Sequence, residues 1–227
     1  MGTELKEIAY IKTDFKEKFG IPRQSGRVEE LRGTVVFDPE YRDPEALRGI
    51  EEFSHLWLIF DFSLSHTEKW SPTVRPPRLG GNKRVGVFAS RSPFRPNPLG
   101  LSCVRLLKVE KTEEYGHVLI VGGADMLDGT PIYDIKPYLP LDDSCPDAVG
   151  GYADEHHAHR LTVDFSQCLL NEIREEKRSA LIKCIADDPR PSYINDTERI
   201  YKMKFSDYDI AFKVEDGRAK VVGVEKL

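Results

Sequence analysis

The chain has 227 residues, 40% of them hydrophobic and 31% charged, with 17 glycines, 15 prolines and a formal net charge of −5. That is enough for one sizeable domain and a smaller one, and the balance is that of an ordinary globular protein rather than a disordered or fibrous chain. No apolar run approaches the length of a membrane span, and the four cysteines are irregularly spaced with no C-x-x-C, which argues against a disulfide framework or a zinc site. The first residues carry no apolar signal core, and Lys6 stands where a myristoylation signal wants Ser or Thr. A reducing cytoplasm, with no membrane and no metal, is the expected setting.

In chain order, residues 7–12 read as a first strand, and residues 15–26 as a turn-rich loop carrying Pro22-Arg23-Gln24. Residues 34–37 are a strand ended by Asp38-Pro39, and residues 44–50 a short helix ended by Gly49. The near-continuous apolar run 54–62 predicts a strand deep in a sheet, with Trp57 in the core and His55 as a hydrogen-bonded strand residue. Residues 63–82 form a long polar, proline-rich loop of the kind that compact domains keep for function.

Val85, Val87 and Ala89 at period two predict the next strand, with Gly86 admitting another backbone. A double X-Pro turn follows, in which Pro96 and Pro98 fix φ and push Arg95 and Asn97 into extended conformations, and a strand over 101–109 leaves it. Residues 118–121 and 132–135 are further strands around the Asp128-Gly129-Thr130-Pro131 turn. Many short strands with Gly/Pro turns and almost no helix predict a mainly β fold, a β-barrel over residues 1–141. After a linker over 142–159, the helical period of Leu169, Leu170, Ile173, Leu181, Ile182 and Ile185 predicts one helix over 166–187, stopped before Pro189. Strands over 199–205, 209–214 and 218–224, the last two joined at Glu215-Asp216-Gly217, complete a small α+β domain over 160–227.

The loop at 90–98 is stiff and presents Arg91, Arg95 and Asn97, which is how a chain holds polar groups for a ligand. Between Lys69 and Lys108 stand nine basic residues and no Asp or Glu, in an otherwise acidic protein; charge so segregated points to an anionic partner such as a phosphate backbone. The usual nucleotide signatures are missing: no G-x-G-x-x-G follows a strand, and Gly80-Gly81-Asn82-Lys83-Arg84 lacks the P-loop spacing. A doubly wound methyltransferase is thereby excluded. No G-x-S-x-G occurs, and His156, His157 and His159 lie in a polar linker without a partner at defined spacing. Asp128-Gly129-Thr130-Pro131 is also a good turn in its own right, and Arg190 with Tyr193 either meets RNA or caps the stretch at Pro189.

Several runs, in order, resemble the TrmO family (also TsaA-like or YaeB-like) of tRNA methyltransferases. They are Pro22-Arg23-Gln24, Phe53-Ser54-His55-Leu56-Trp57, residues 73–82, the run 84–102, and Asp128-Gly129-Thr130-Pro131 with Asp134-Ile135-Lys136-Pro137-Tyr138. Asp188-Pro189-Arg190-Pro191 with Tyr193 completes the set. The resemblance implies a single-sheeted β-barrel, S-adenosylmethionine as cofactor, a homodimer, and N6-methylation of threonylcarbamoyl-adenosine just 3′ of the anticodon of tRNA. It also implies that Pro22, Arg23 and Gln24 reach the cofactor. Where the family places a contact, commonly a His, after the long strand, this chain has Ser63 and Leu64, which offer backbone groups.

S-adenosylmethionine asks for an apolar slot, a ribose acceptor and a cation. Arg91 suits its carboxylate or a neighbouring phosphate, Asp125 or Asp128 the ribose, and Leu101 and Leu127 the adenine, with Gly123 and Ala124 at the same strand end. Asp128 or Tyr133, directly or through water, is the expected proton acceptor. Arg75, Arg78, Arg95, Asn97, Arg190 and Tyr193 are expected on the tRNA. Two rivals stand beside this reading: a non-catalytic barrel that senses S-adenosylmethionine or binds RNA, and an acyl or phosphoryl enzyme clamping anions with Arg91 and Arg95.

Overall fold

The computed structural model describes residues 4–76, 79, 83–156, 160–191 and 196–227. The strands of its first part are β1 (Ala9–Lys12), β2 (Arg32–Phe37), β3 (His55–Asp61), β4 (Thr73–Val74), β5 (Val85–Gly86), β6 (Leu99–Thr112), β7 (Gly116–Gly122) and β8 (Thr130–Pro137). Six of them pair in the order β1-β2-β7-β6-β3-β8, and β8 pairs back onto β1, so this sheet closes into a barrel. The pairs at these edges are all antiparallel. Alternation explains its core: Leu56, Leu58 and Phe60 of β3 point inward with Ala9, Ile11, Val35, Val104, Leu119, Val121 and Ile132. Gly100 on β6 is the close-approach position, because the Phe60 ring lies where a Cβ would project.

The sequence-level expectation of a mainly β chain agrees with these elements. Several details differ. The run after Lys83 is a two-residue strand, β5, that pairs only with β4 and turns at once into a 3₁₀ helix over Val87–Ala89. Val87 is buried and Ala89 exposed, so their side chains do not share the face that strand periodicity required. Among the described residues no atom lies within 4 Å of a Cβ built on Gly86, so nothing packs into the space its missing side chain leaves. Trp57 is on the outer face of β3, half-buried, with its indole N–H donating to Asp143 at 3.0 Å. Part of the expected linker is structured: α1 (Pro140–Asp143) runs into it and a 3₁₀ turn covers Gly151–His156.

The second part contains β9 (Thr162–Asp164), α2 (Gln167–Asn171), α3 (Glu175–Ala186), β10 (Tyr201–Phe205), β11 (Tyr208–Glu215) and β12 (Arg218–Lys226). Its sheet runs β10-β11-β12-β9, with the short β9 parallel to β12 and absent from the sequence reading. The single helix expected over 166–187 is two. The chain breaks at residues 172–174, where Ile173 drops fully into the core and the Arg174 N–H donates to the Tyr208 hydroxyl at 3.2 Å. Asp216 and Gly217 both have positive φ, as the expected tight turn requires.

The core of this second part is not local. Phe15, Val28 and Leu31, from the connection between β1 and β2, are buried with Leu181, Ile185, Phe205 and Phe212. Among the described residues no helix is long and apolar enough to cross a membrane.

Candidate active site

Three segments frame one open cleft of about 1950 Å³: the turn at residues 20–27, the stretch from the end of β3 to Ser65, and the loop from Phe88 into β6. Each is held from behind. The Phe88–Pro98 loop is tied by its own hydrogen bonds: Ser90 N–H and Oγ both donate to Val87 O, and the Arg95 guanidinium donates to Ser90 O at 3.1 Å. Leu99 N–H bonds Asn97 O at 2.7 Å, and Phe62 N–H bonds Pro98 O at 2.8 Å, fixing the proline turn to the end of β3. The turn at 20–27 is fixed by Gly26 N–H on Gly123 O at 3.0 Å.

Arg91 and Asp125 stand out among the charged groups that line this space. The Arg91 guanidinium is exposed and donates to Gln24 Oε1. The Asp125 carboxylate accepts from Ser102 Oγ at 2.6 Å; burial pushes it up to about 6, against the smaller opposing pull of that bond, of backbone N–H groups at Asp125 and Ser25, and of the Arg91 charge. A carboxylate desolvated this far and not neutralised by a close cation is matched to donors such as hydroxyl groups. Leu101 and Leu127 supply apolar wall, as do Phe60 and Phe62 behind them. The residues present therefore meet the three demands of S-adenosylmethionine: apolar slot, ribose acceptor and cation.

Of the residues singled out from the sequence, Pro22, Arg23, Gln24, Ser63, Leu64, Arg75, Arg91, Arg95, Asn97, Leu101, Asp125 and Leu127 all line the cleft. Gly123 and Ala124 are buried at the strand end behind Asp125. Arg190 sits at the margin, paired to Asp188 at 2.8 and 3.0 Å and lying 5.8 Å from the centre of the Tyr201 ring. Arg78 and Tyr193 lie outside the described residues, as do His157 and His159; among the described residues no cluster of metal-binding side chains occurs.

Two of the expected residues stand elsewhere. Asp128 does not line the cleft. One of its carboxylate oxygens accepts from the Thr13 N–H at 2.9 Å and the other pairs with Lys16 at 2.5 Å, so it locks the end of β1 to the turn before β8. Tyr133 is also off the cleft; it is the extra residue at the bulge where β8 changes register against β3. Its hydroxyl is pushed up by burial and by the charges of Asp61 and Glu7, which disfavours the phenolate.

The structure adds groups that sequence reasoning missed. Asp61, 8% exposed at the end of β3, lines the cleft and holds His66 Nε2 at 2.8 Å. Its signal was a lone carboxylate closing an apolar strand. Phe88 and Phe94 stand exposed on the rim. A second recess, of about 670 Å³, carries Glu4, Glu7, Asp38 and Glu40, and repels rather than attracts phosphate.

A family model described as the tRNA-methyltransferase O N-terminal domain matches residues 10–144, and one described as the TrmO C-terminal domain matches residues 158–227. The tRNA (adenine(37)-N6)-methyltransferase of Escherichia coli (strain K12) is 41% identical over 98% of this chain and 97% of its own length. A Pseudomonas aeruginosa protein whose name includes S-adenosylmethionine-dependent methyltransferase is 39% identical over 92% of both chains. The crystal structure of TrmO from Pseudomonas aeruginosa superposes with a TM-score of 0.80 at 33% identity, covering 99% of this chain and 100% of that one.

Proposed function

The chain belongs to the TrmO family, and from that premise we infer what it does and how. It is an S-adenosylmethionine-dependent tRNA methyltransferase acting on N6 of adenine 37. The observation that carries the reading to a site is the convergence, in one cleft, of the exposed Arg91 cation, the desolvated Asp125 acceptor and the clamped Pro22-Arg23-Gln24 turn.

Bound S-adenosylmethionine supplies an electrophilic methyl on a sulfonium centre. The chain's own contribution is placement: alignment of acceptor nitrogen, methyl and sulfur accounts for most of the rate in such a displacement. Arg91, steadied by Gln24, takes the cofactor's carboxylate, Asp125 its ribose hydroxyls, and Leu101 and Leu127 its adenine. Backbone groups of Ser63 and Leu64 border the same slot, and Gly123 and Ala124 back it from behind Asp125. Arg75, Arg95 and Asn97 meet the tRNA, with Arg190 at its outer edge.

The substrate base is threonylcarbamoyl-adenosine. Its N6–H is acidified by the carbamoyl carbonyl, so water in the open cleft is base enough, and neither Asp128 nor Tyr133 is needed for the proton. The working enzyme is a cytoplasmic homodimer of chains that each divide into a barrel domain, 1–141, and an α+β domain, 160–227. Exposed Leu64, Trp70, Phe88 and Phe94 near the cleft support the dimer, since apolar side chains gathered this way mark an interface. The test is incubation with methyl-labelled cofactor and tRNA from cells with and without threonylcarbamoyl-adenosine. Label confined to the modified pool is expected; cofactor binding with no label in either pool supports a sensor instead.

A further inference from the structure

Resting on that cofactor reading, we propose that the C-terminal unit is a positioning part of the S-adenosylmethionine site, acting through the buried Arg27–Asp187 ion pair on the Pro22-Arg23-Gln24 turn. The turn lies in the connection between β1 and β2, and most of that connection packs away from the barrel. Phe15, Val28 and Leu31 are buried in the C-terminal core, and the Phe19 ring stacks at 6.3 Å on Tyr201 and 6.4 Å on Phe212. Gly20, at φ +99, sits against the Met203 sulfur where a side chain has no room.

The polar contacts continue the same attachment. Arg27 meets Asp187 at 2.5 Å, with only 8% and 4% of the two side chains exposed. Arg23 donates to Arg190 O at 3.0 Å, and Arg160 donates to Arg27 O at 2.9 Å. Burial lowers Arg23 from its ordinary guanidinium range, while the charges of Asp187 and Asp188 oppose that fall. On the other side Gly26 is bonded to Gly123, next to Asp125, and Gln24 accepts from Arg91. The turn is thus hung between the two units, with its cofactor-facing side chains in between.

A loop that must be ordered at binding loses affinity to the entropy of ordering, and one already ordered does not. Arg27 and Asp187 also border the cleft, but in this reading their charges are matched to each other and not to the cofactor, and they set where Arg23 and Gln24 stand. The ion pair is the point to cut, because removing one partner strands a buried charge, whereas replacing both with apolar groups is tolerated.

The experiment is calorimetric titration of S-adenosylmethionine, without tRNA, into the full chain, Arg27→Met, Asp187→Asn and the double variant Arg27→Met/Asp187→Leu, with melting curves alongside. Both single variants are expected to bind at least tenfold more weakly. The double variant should recover melting temperature but not affinity, because the turn loses its two-atom tether while the core stays filled. In kinetics the loss should fall on the KM for cofactor and leave the KM for tRNA within twofold. Wild-type affinity in the single variants overturns the proposal, and so does a double variant that recovers affinity together with stability. Absence of binding by the unaltered chain overturns instead the cofactor reading beneath it.

Discussion

Asp125 and Asp128 are three residues apart and carry the same group, yet their surroundings assign them different work. Asp128 has a backbone N–H and a lysine on its two oxygens, whereas Asp125 has a serine hydroxyl and a desolvated pocket that raises it from 3.8 to about 6. The raised value means that folding disfavours the charged form. Stability is then lost as pH rises from about 4 to about 6, and at about 1.36 kcal/mol per unit the penalty is at most about 3 kcal/mol. Asp125→Asn removes that penalty, so at pH 8 it should melt no lower than the unaltered chain. It should nevertheless bind S-adenosylmethionine about 10- to 100-fold more weakly, the loss of a charged hydrogen-bond acceptor being about 1.5–3 kcal/mol. Affinity in the unaltered chain should fall as pH drops through about 6, and in Asp125→Asn it should be flat there; calorimetry across pH reads both. Asp128→Asn, by contrast, should cost about 1 kcal/mol of stability and keep single-turnover methylation within a few-fold. A large rate loss in a variant with intact cofactor affinity would return Asp128 to the chemistry.

At the scale of elements, the barrel is shaped by where side chains are small. Gly100 leaves room for the Phe60 ring, which packs edge-on to Phe62 at 5.0 Å at the end of β3. Gly100→Ala should therefore destabilise the chain by about 1–3 kcal/mol, read by thermal or denaturant unfolding, since the ring has to move and the backbone across it with it. Strand existence was legible at β3, where a near-continuous apolar run has strand length, and at β6, where the chain leaves the proline turn into an apolar-rich stretch. It failed at β5, where a period-two pattern of three apolar residues met no neighbouring strand long enough to hold it. The helix break at 172–174 was equally hidden: all six apolar positions fit one helical stripe, and only the sheet beneath, through Tyr208, draws Ile173 and Arg174 out of line.

At the scale of the whole molecule, the cleft was largely legible because its residues sit in rigid, punctuated runs. Pro22, Pro96 and Pro98 mark loops whose backbone is fixed, and polar residues on such loops are placed for a ligand. The composite core was not legible. Phe15, Val28 and Leu31 show no period of their own, and their partners lie more than a hundred positions along the chain. Nor was the position of Asp128, since a turn that faces the cleft and one that faces away share the same four residues. The cleft framed by Gln24, Arg91 and Asp125 is proposed as the cofactor site. The most direct measurement is the titration of S-adenosylmethionine into Arg91→Ala. Arg91 is exposed, so the variant should melt with the unaltered chain while binding the cofactor at least tenfold more weakly. Unaltered affinity in a folded Arg91→Ala chain would contradict the account and move the site elsewhere.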